Sequence, residues 1–317
     1  MLRRGAPGGV RAGPHAVTGH VTTGLSAFPL TPMSDDRVDE SAYAAIIERL
    51  VRAGVDSIGA LGSTGSYAYL DREERRRVAE ATVRHAAGVP VIVGISALRT
   101  SHAQALAHDA QAAGASAVML APMSYQPLTD DDVMGLYTDV AGELSVPLVV
   151  YDNPGTTRFG FTPELYLRLV ELPQVASIKI PPPPAEPSAA REHLARLRSA
   201  VPERVGLGVS GDPSAAAALL AGCDSWYSVL AGTVPGPALA IARAALSGRA
   251  EEALAESAGL APLWELFSAH GSLRVVAAVA EILGLAAENC LPRPVLGLTG
   301  ADRTSVETVV TALSLGK

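Results

Sequence analysis

Lys179 and the terminal Lys317 are the only lysines in a chain of 317 residues that otherwise uses arginine wherever it needs a fixed cation. A sequence with that habit keeps lysine where arginine will not serve. A guanidinium stays charged in proteins, whereas an amine can lose its proton and attack a carbonyl. Lys179 sits in the apolar run "VASIKI", which four prolines follow. Its isoleucine neighbours and an apolar interior are expected to lower its pKa by desolvation from the ordinary value of about 10.4. A neutral amine can condense with a ketone to give an imine. Once protonated, the imine nitrogen draws electrons from the adjacent carbon and allows a carbon–carbon bond to form or break. That chemistry needs a proton relay, and Tyr151, at the end of "PLVVY", is a phenol able to donate and accept. The turn Gly62-Ser63-Thr64-Gly65-Ser66 supplies closely spaced backbone N–H groups, hydroxyls, and glycines that let the backbone approach a ligand. Such a nest suits a carboxylate beside the keto carbon. Each feature also has a plainer reading: a strand-end lysine reaching for water, a rim tyrosine with a structural hydrogen bond, a common small-residue loop.

The elements that must position these residues alternate along the chain. From Gly24 onward, short apolar runs are followed by amphipathic stretches at the spacing of a βα unit, eight times. The runs are "GLSAFPL", "SIGALG", "PVIVGIS", "AVMLAP", "PLVVYDNP", "VASIKI", "RVGLGVSGD" and "CDSWYSVL". Helices are expected over about 38–53, 71–87, 101–113, 129 onward, 163–172, 188–200 and an Ala-rich stretch ending near Gly248. The acidic cluster after Thr129 suits the positive end of a helix better than a metal. Eight such units point to an α/β fold of the (β/α)8 TIM-barrel type rather than to an open doubly wound sheet, and no Gly-x-Gly-x-x-Gly follows the first strand. The expected organisation is a loose tail over 1–20, a barrel over 21–248, and a C-terminal extension of two or three helices over 249–317. In such a barrel the site lies at the C-terminal ends of the strands, where Lys179, Tyr151 and the Gly62–Ser66 turn would all converge.

Composition narrows the remaining classes. The net charge of −7 and the scattered arginines argue against nucleic acid, and "REERRR" reads as a solvated helix face. No apolar stretch is long enough to span a bilayer, and the basic, Gly/Pro-rich start lacks the apolar core of a signal peptide. Cys223 and Cys290 are far apart in sequence and form neither a redox pair nor a metal spacing, which suits reduced thiols in a cytoplasmic protein. A metal-dependent barrel would need histidines and carboxylates at strand ends, whereas His102 and His108 fall on a helix and His270 in the extension.

At these residues the chain resembles the dihydrodipicolinate synthase and N-acetylneuraminate lyase family of Schiff-base aldolases, from about Gly24 to its end. The resemblance rests on Gly62-Ser63-Thr64-Gly65, on "YDNPGTT", on "SIKI", and on Ser210-Gly211-Asp212. It implies an imine between Lys179 and pyruvate or a related 2-keto acid, with Tyr151 passing protons through the Ser63 hydroxyl. Thr64 would hold the carboxylate, with Gly62, Gly65, Gly211 and the backbone at Tyr227 lining the pocket. It further implies an aldehyde as second substrate, no metal or organic cofactor, and a homotetramer built as a dimer of dimers. The second relay tyrosine, lent by a neighbouring subunit, would align with Ser124 or, one residue on, with Tyr125. There are departures from the pattern. The arginine that holds the second substrate's carboxylate aligns with Thr156, with Arg158 two positions on, and the acidic residue and glycine usual after the lysine are replaced by Ile180 and the prolines. These changes leave the imine machinery in place and the second substrate unassigned. The competing reading is a catalytically silent barrel that binds a 2-keto acid as a sensor or scaffold.

Overall fold

The computed structural model describes residues 21–184 and 186–316, so the expected N-terminal tail lies outside the described residues. The chain opens with strand β1 (Gly24–Ala27) and a small antiparallel hairpin, β2 (Met33–Ser34) and β3 (Arg37–Val38). The periodicity gave no sign of this hairpin, because strands of two residues are too short to alternate. Helix α1 (Glu40–Ala53) follows, then β4 (Ser57–Ala60), α2 (Arg72–His85), β5 (Val91–Gly94), α3 (Thr100–Ala113), β6 (Ala117–Leu120) and α4 (Asp130–Ala141). The second half runs through β7 (Leu148–Tyr151), the short α5 (Pro154–Thr157), α6 (Pro163–Leu169), β8 (Val175–Ile180) and α7 (Pro187–Ala200). It continues with β9 (Gly206–Val209), α8 (Ala215–Leu220), β10 (Ser225–Ser228) and α9 (Pro235–Leu246). The eight longer strands, β1 and β4 to β10, pair in parallel, and β10 closes back on β1. The expected (β/α)8 TIM barrel is the fold.

Helix boundaries follow their chemistry. Asp71 and Glu74 form a reciprocal capping box at α2, and Thr129 and Asp132 form one at α4. The other acids of that cluster are engaged as well: Asp130 accepts from Thr162 Oγ1 at 2.7 Å and Asp131 pairs with Arg168 at 2.8 Å. Gly114 ends α3 in the left-handed conformation at φ 91°, as its position predicts.

Strand periodicity divides the core in two. Leu148, Val150, Ile178 and Ile180 face the helices, whereas Phe28, Ile92, Met119, Val149, Tyr151 and Tyr227 pack inside the barrel. Side chains alternate across a strand, so Lys179, between Ile178 and Ile180, must project into the barrel. Of the two sources of desolvation expected from the sequence, the flanking isoleucines therefore do not contribute, and the barrel interior, through inward-facing side chains of other strands, does. Two glycines make room for them. A Cβ on Gly59 would lie 2.3 Å from the Phe28 ring, and one on Gly208 would lie 2.2 Å from the Tyr227 ring.

After α9 come four helices, where two or three were expected: α10 (Ala250–Gly259), α11 (Ala261–His270), α12 (Ser272–Ile282) and α13 (Gly300–Ala312). The first three are separated only by the single residues Leu260 and Gly271, so no polar loop marks the breaks. A cluster of Leu30, Ile46, Ala277, Ala280, Cys290 and Leu291 fastens α12 to the barrel wall. Cys223 and Cys290 are both buried and free. Among the described residues, no helix is long and apolar enough to cross a membrane.

Candidate active site

Lys179 and Tyr151 sit opposite each other in the register of β7 and β8, and the backbone N–H of Asp152 donates to the Lys179 carbonyl at 3.0 Å. The ladder thus holds the amine and the phenol on neighbouring strands, both pointing inward. Lys179 is 4% exposed. Its Nζ lies 4.0 Å from the ring centroids of Phe28 and Tyr151 and 5.5 Å from that of Tyr227. Burial among these rings pushes the Lys179 pKa down to about 7, with the Asp212 carboxylate pulling weakly the other way. The aromatic faces favour the ammonium, yet they repay only part of the lost hydration. Near neutral pH a substantial fraction of this lysine is therefore a free amine.

Tyr151 is pushed the opposite way: burial raises its pKa, so the phenol stays protonated and remains a proton donor. Asp212 is fully engaged, accepting from the Trp226 indole at 2.8 Å and from the backbone N–H groups of Val229 and Leu230 at 3.2 and 3.0 Å. Burial raises its pKa, against the pull of these hydrogen bonds. By tying the turn after β9 to the one after β10, Asp212 shapes the wall beside the lysine. Ser177, two residues before Lys179 and on the same inward face, hydrogen bonds the Tyr227 hydroxyl at 2.8 Å and fixes that ring.

These groups open into a cavity of about 410 Å3 at the C-terminal mouth of the barrel. Its inner wall carries Lys179, Tyr151, Ser63, Thr64, Phe28 and Tyr227, and Gly211 lies further out. Of the residues expected at the site, Lys179, Tyr151, Ser63, Thr64, Gly211 and Tyr227 are thus brought together. Gly62 and Gly65 are not among the lining residues. They let the turn pack tightly, since a Cβ on Gly62 would come within 2.6 Å of the Phe28 ring and one on Gly65 within 3.1 Å of the Leu61 backbone. Gly211, at φ 88°, is packed against Pro182, whose Cγ would lie 2.4 Å from an added Cβ. Tyr125 stands apart. It is 91% exposed and borders a neighbouring cavity together with Ser63, Ser124, Thr156 and Arg158. The Ser124 hydroxyl closes on its own turn, donating to the Gln126 carbonyl and accepting from the Gln126 N–H.

Several contributors escaped the sequence reading. Phe28 could have been found by extending the inward parity of β1. Trp264, Phe267, Ser268, Ser272 and Leu273 could not: they come from α11 and α12, which fold over the mouth and form its outer wall. Arg75, read as part of a solvated face, is 6% exposed. Its guanidinium donates to the carbonyls of Ser96 and Gly94 at 3.0 Å each and lies 5.3 Å from the Tyr67 ring centroid, bracing the C-terminal end of β5. Its neighbours Arg72, Arg76 and Arg77 do pair with acids at the surface.

A half-neutral lysine recessed in a barrel mouth, with a protonated phenol one strand away and a hydroxyl-bearing turn opposite, defines a Schiff-base lyase of the aldolase type. The comparisons with known proteins agree. The model of the dihydrodipicolinate synthetase family matches residues 21–313, and this chain belongs to that family. It is 32% identical over 272 residues to the 4-hydroxy-tetrahydrodipicolinate synthase of Halorhodospira halophila, covering 86% of this chain and 88% of that one. Among solved structures, a dihydrodipicolinate synthase from Agrobacterium tumefaciens is 49% identical with a TM-score of 0.90, covering 93% of this chain and 99% of that one. A putative dihydrodipicolinate synthetase from Pseudomonas aeruginosa is 30% identical with a TM-score of 0.84, covering 92% and 99%.

Proposed function

We propose that Lys179 forms an imine with pyruvate or a closely related 2-keto acid, and that the enzyme makes or breaks a carbon–carbon or carbon–oxygen bond on the adjacent carbon with an aldehyde as its partner substrate. The observation that carries this reading is the recessed amine itself, surrounded by Phe28, Tyr151 and Tyr227 and open only to the cavity. In this reading Thr64 and the backbone of the Gly62–Ser66 turn hold the keto acid's carboxylate. Tyr151 delivers and recovers protons with help from the Ser63 hydroxyl, and the backbone around Gly211 and Tyr227 closes the wall. The silent-barrel alternative is not favoured, since a purely binding site gains nothing from an amine held near neutrality at the cost of its hydration.

The same proposal makes the enzyme a cytoplasmic homotetramer. Its support is the exposed Tyr125 and the half-exposed Tyr69, which border one cavity beside the site and leave aromatic surface for a second copy to cover. There the partner copy's own Tyr125 would enter the relay.

The test is steady-state turnover of pyruvate with a set of aldehydes, comparing the natural chain with Lys179→Arg. The arginine variant, with its folding verified by circular dichroism, is expected to lose all turnover because a guanidinium does not form the imine. Retained turnover would remove Lys179 from the reaction.

A further inference from the structure

The cavity above Lys179 has an inner and an outer zone, and they differ in charge. The inner zone holds the amine and the hydroxyl-bearing turn. The outer zone is built by Trp264, Phe267 and Leu273 from α11 and α12 together with the exposed Pro182 and Pro213, with hydroxyls and amides at its edge. Of the described residues lining the cavity, only Lys179 and Asp212 carry a carboxyl or amino group. Asp212 is committed to the Trp226 indole and to two backbone N–H groups. Lys179 is consumed by the imine. Among the described residues the outer zone therefore offers no cation. Neither of the arginines nearest in sequence lines this zone: Arg158 is exposed and borders the adjoining cavity, and Arg274, next to Leu273 on α12, donates to the Leu296 carbonyl at 3.0 Å.

A carboxylate seated against Trp264, Phe267, Leu273 and two prolines would lose part of its hydration without gaining a counter-charge. The one carboxylate the site can satisfy is that of the keto acid at the Gly62–Ser66 turn. We propose that the second substrate is an uncharged aldehyde with an apolar body, seated against the α11–α12 aromatics, Pro182 and Pro213, and that aldehydes carrying a carboxylate are rejected. This rests on the imine reading above and sets the substrate class of the same site.

The reaction balances with these two substrates alone. Pyruvate and the Lys179 amine lose water to form the imine, and the imine's methyl carbon gives up a proton to become an enamine. The enamine carbon forms a bond to the aldehyde carbon, whose oxygen takes up a proton. Water then cleaves the imine, regenerating the amine and releasing a 4-hydroxy-2-keto acid. No oxidant or further reactant is needed. The serine hydroxyls of Ser210, Ser268 and Ser272 at the rim supply donors and acceptors for a neutral hydroxyl or carbonyl on the aldehyde.

The test uses aldehydes matched in size that differ in one carboxylate: benzaldehyde against 4-carboxybenzaldehyde, and butanal against succinic semialdehyde, each with pyruvate. The uncharged member of each pair is expected to show a kcat/KM about a hundredfold higher. Ser268→Arg, which places a cation in the outer zone, is expected to narrow that preference about tenfold or more while leaving borohydride trapping of pyruvate intact. Trapping of pyruvate separates the two claims. If pyruvate is not trapped, the imine reading fails whatever the aldehyde. If pyruvate is trapped but the carboxylated aldehydes are preferred, or neither uncharged aldehyde is consumed, the assignment of the outer zone is overturned.

Discussion

A buried lysine whose pKa falls so far is a stability liability, and Lys179→Met exposes its size. Burial takes the amine from 10.5 to about 7. At about 1.36 kcal/mol per pH unit, the folded state is penalised by about 5 kcal/mol whenever the lysine is protonated in both the folded and unfolded chains. The sign follows from proton counting. Below pH 7 both states hold the proton and the full penalty applies; between pH 7 and 10.5 the unfolded chain binds more protons than the folded one, so stability rises with pH. The penalty is thus about 5 kcal/mol at pH 6 and about 2 kcal/mol at pH 9. Methionine fills a similar volume with an unbranched apolar chain and carries no charge. The variant is expected to be more stable than the natural chain, with its advantage shrinking by about 2–3 kcal/mol between pH 6 and pH 9. Urea unfolding of both proteins at the two pH values, at equal concentration, measures this directly, because groups common to both cancel in the comparison. An advantage that is the same at both pH values would show that Lys179 keeps an ordinary pKa, and the argument for a reactive amine would fall with it.

Asp212→Asn removes the negative charge that holds the Lys179 pKa up, so the acid limb of the pH–rate profile should move to lower pH; a limb that stays or moves up contradicts the placement of that charge. Gly208→Ala forces an added Cβ to within 2.2 Å of the Tyr227 ring and of Ser225, and should cost about 1–3 kcal/mol in thermal or urea unfolding; an unchanged midpoint would refute the packing described. Arg75→Met strips two charged hydrogen bonds from the Ser96 and Gly94 carbonyls and should lower stability by about 2–4 kcal/mol, a loss that a surface arginine would not show.

Much of the barrel was legible because parallel strands announce themselves locally. Runs such as "PVIVGIS" and "AVMLAP" are apolar on both faces, and caps such as Asp71 and Gly114 mark where helices begin and stop. The chemical residues were legible for a different reason: lysine is nearly absent elsewhere, and the ends of parallel strands are the natural place for a barrel's site. What stayed hidden depends on long-range packing. Nothing local in "PLWELFSAHGSL" says that Trp264 and Phe267 close the mouth of a barrel built from strands far earlier in the chain. Arg75 is buried because the ends of β5 present unpaired carbonyls to it, a fact of tertiary structure invisible in "REERRR". The desolvation of Lys179 was credited to Ile178 and Ile180 as well as to the barrel interior; the interior rings carry it, because strand parity sends both isoleucines to the helix layer.

The most direct test of the central claim is borohydride reduction of the protein in the presence of pyruvate, followed by mass analysis of the peptide that spans Val175–Ile180. A reduced pyruvate adduct on Lys179, forming with a pH midpoint near 7, is the expected result. An unmodified Lys179 under conditions where the protein is folded would contradict it.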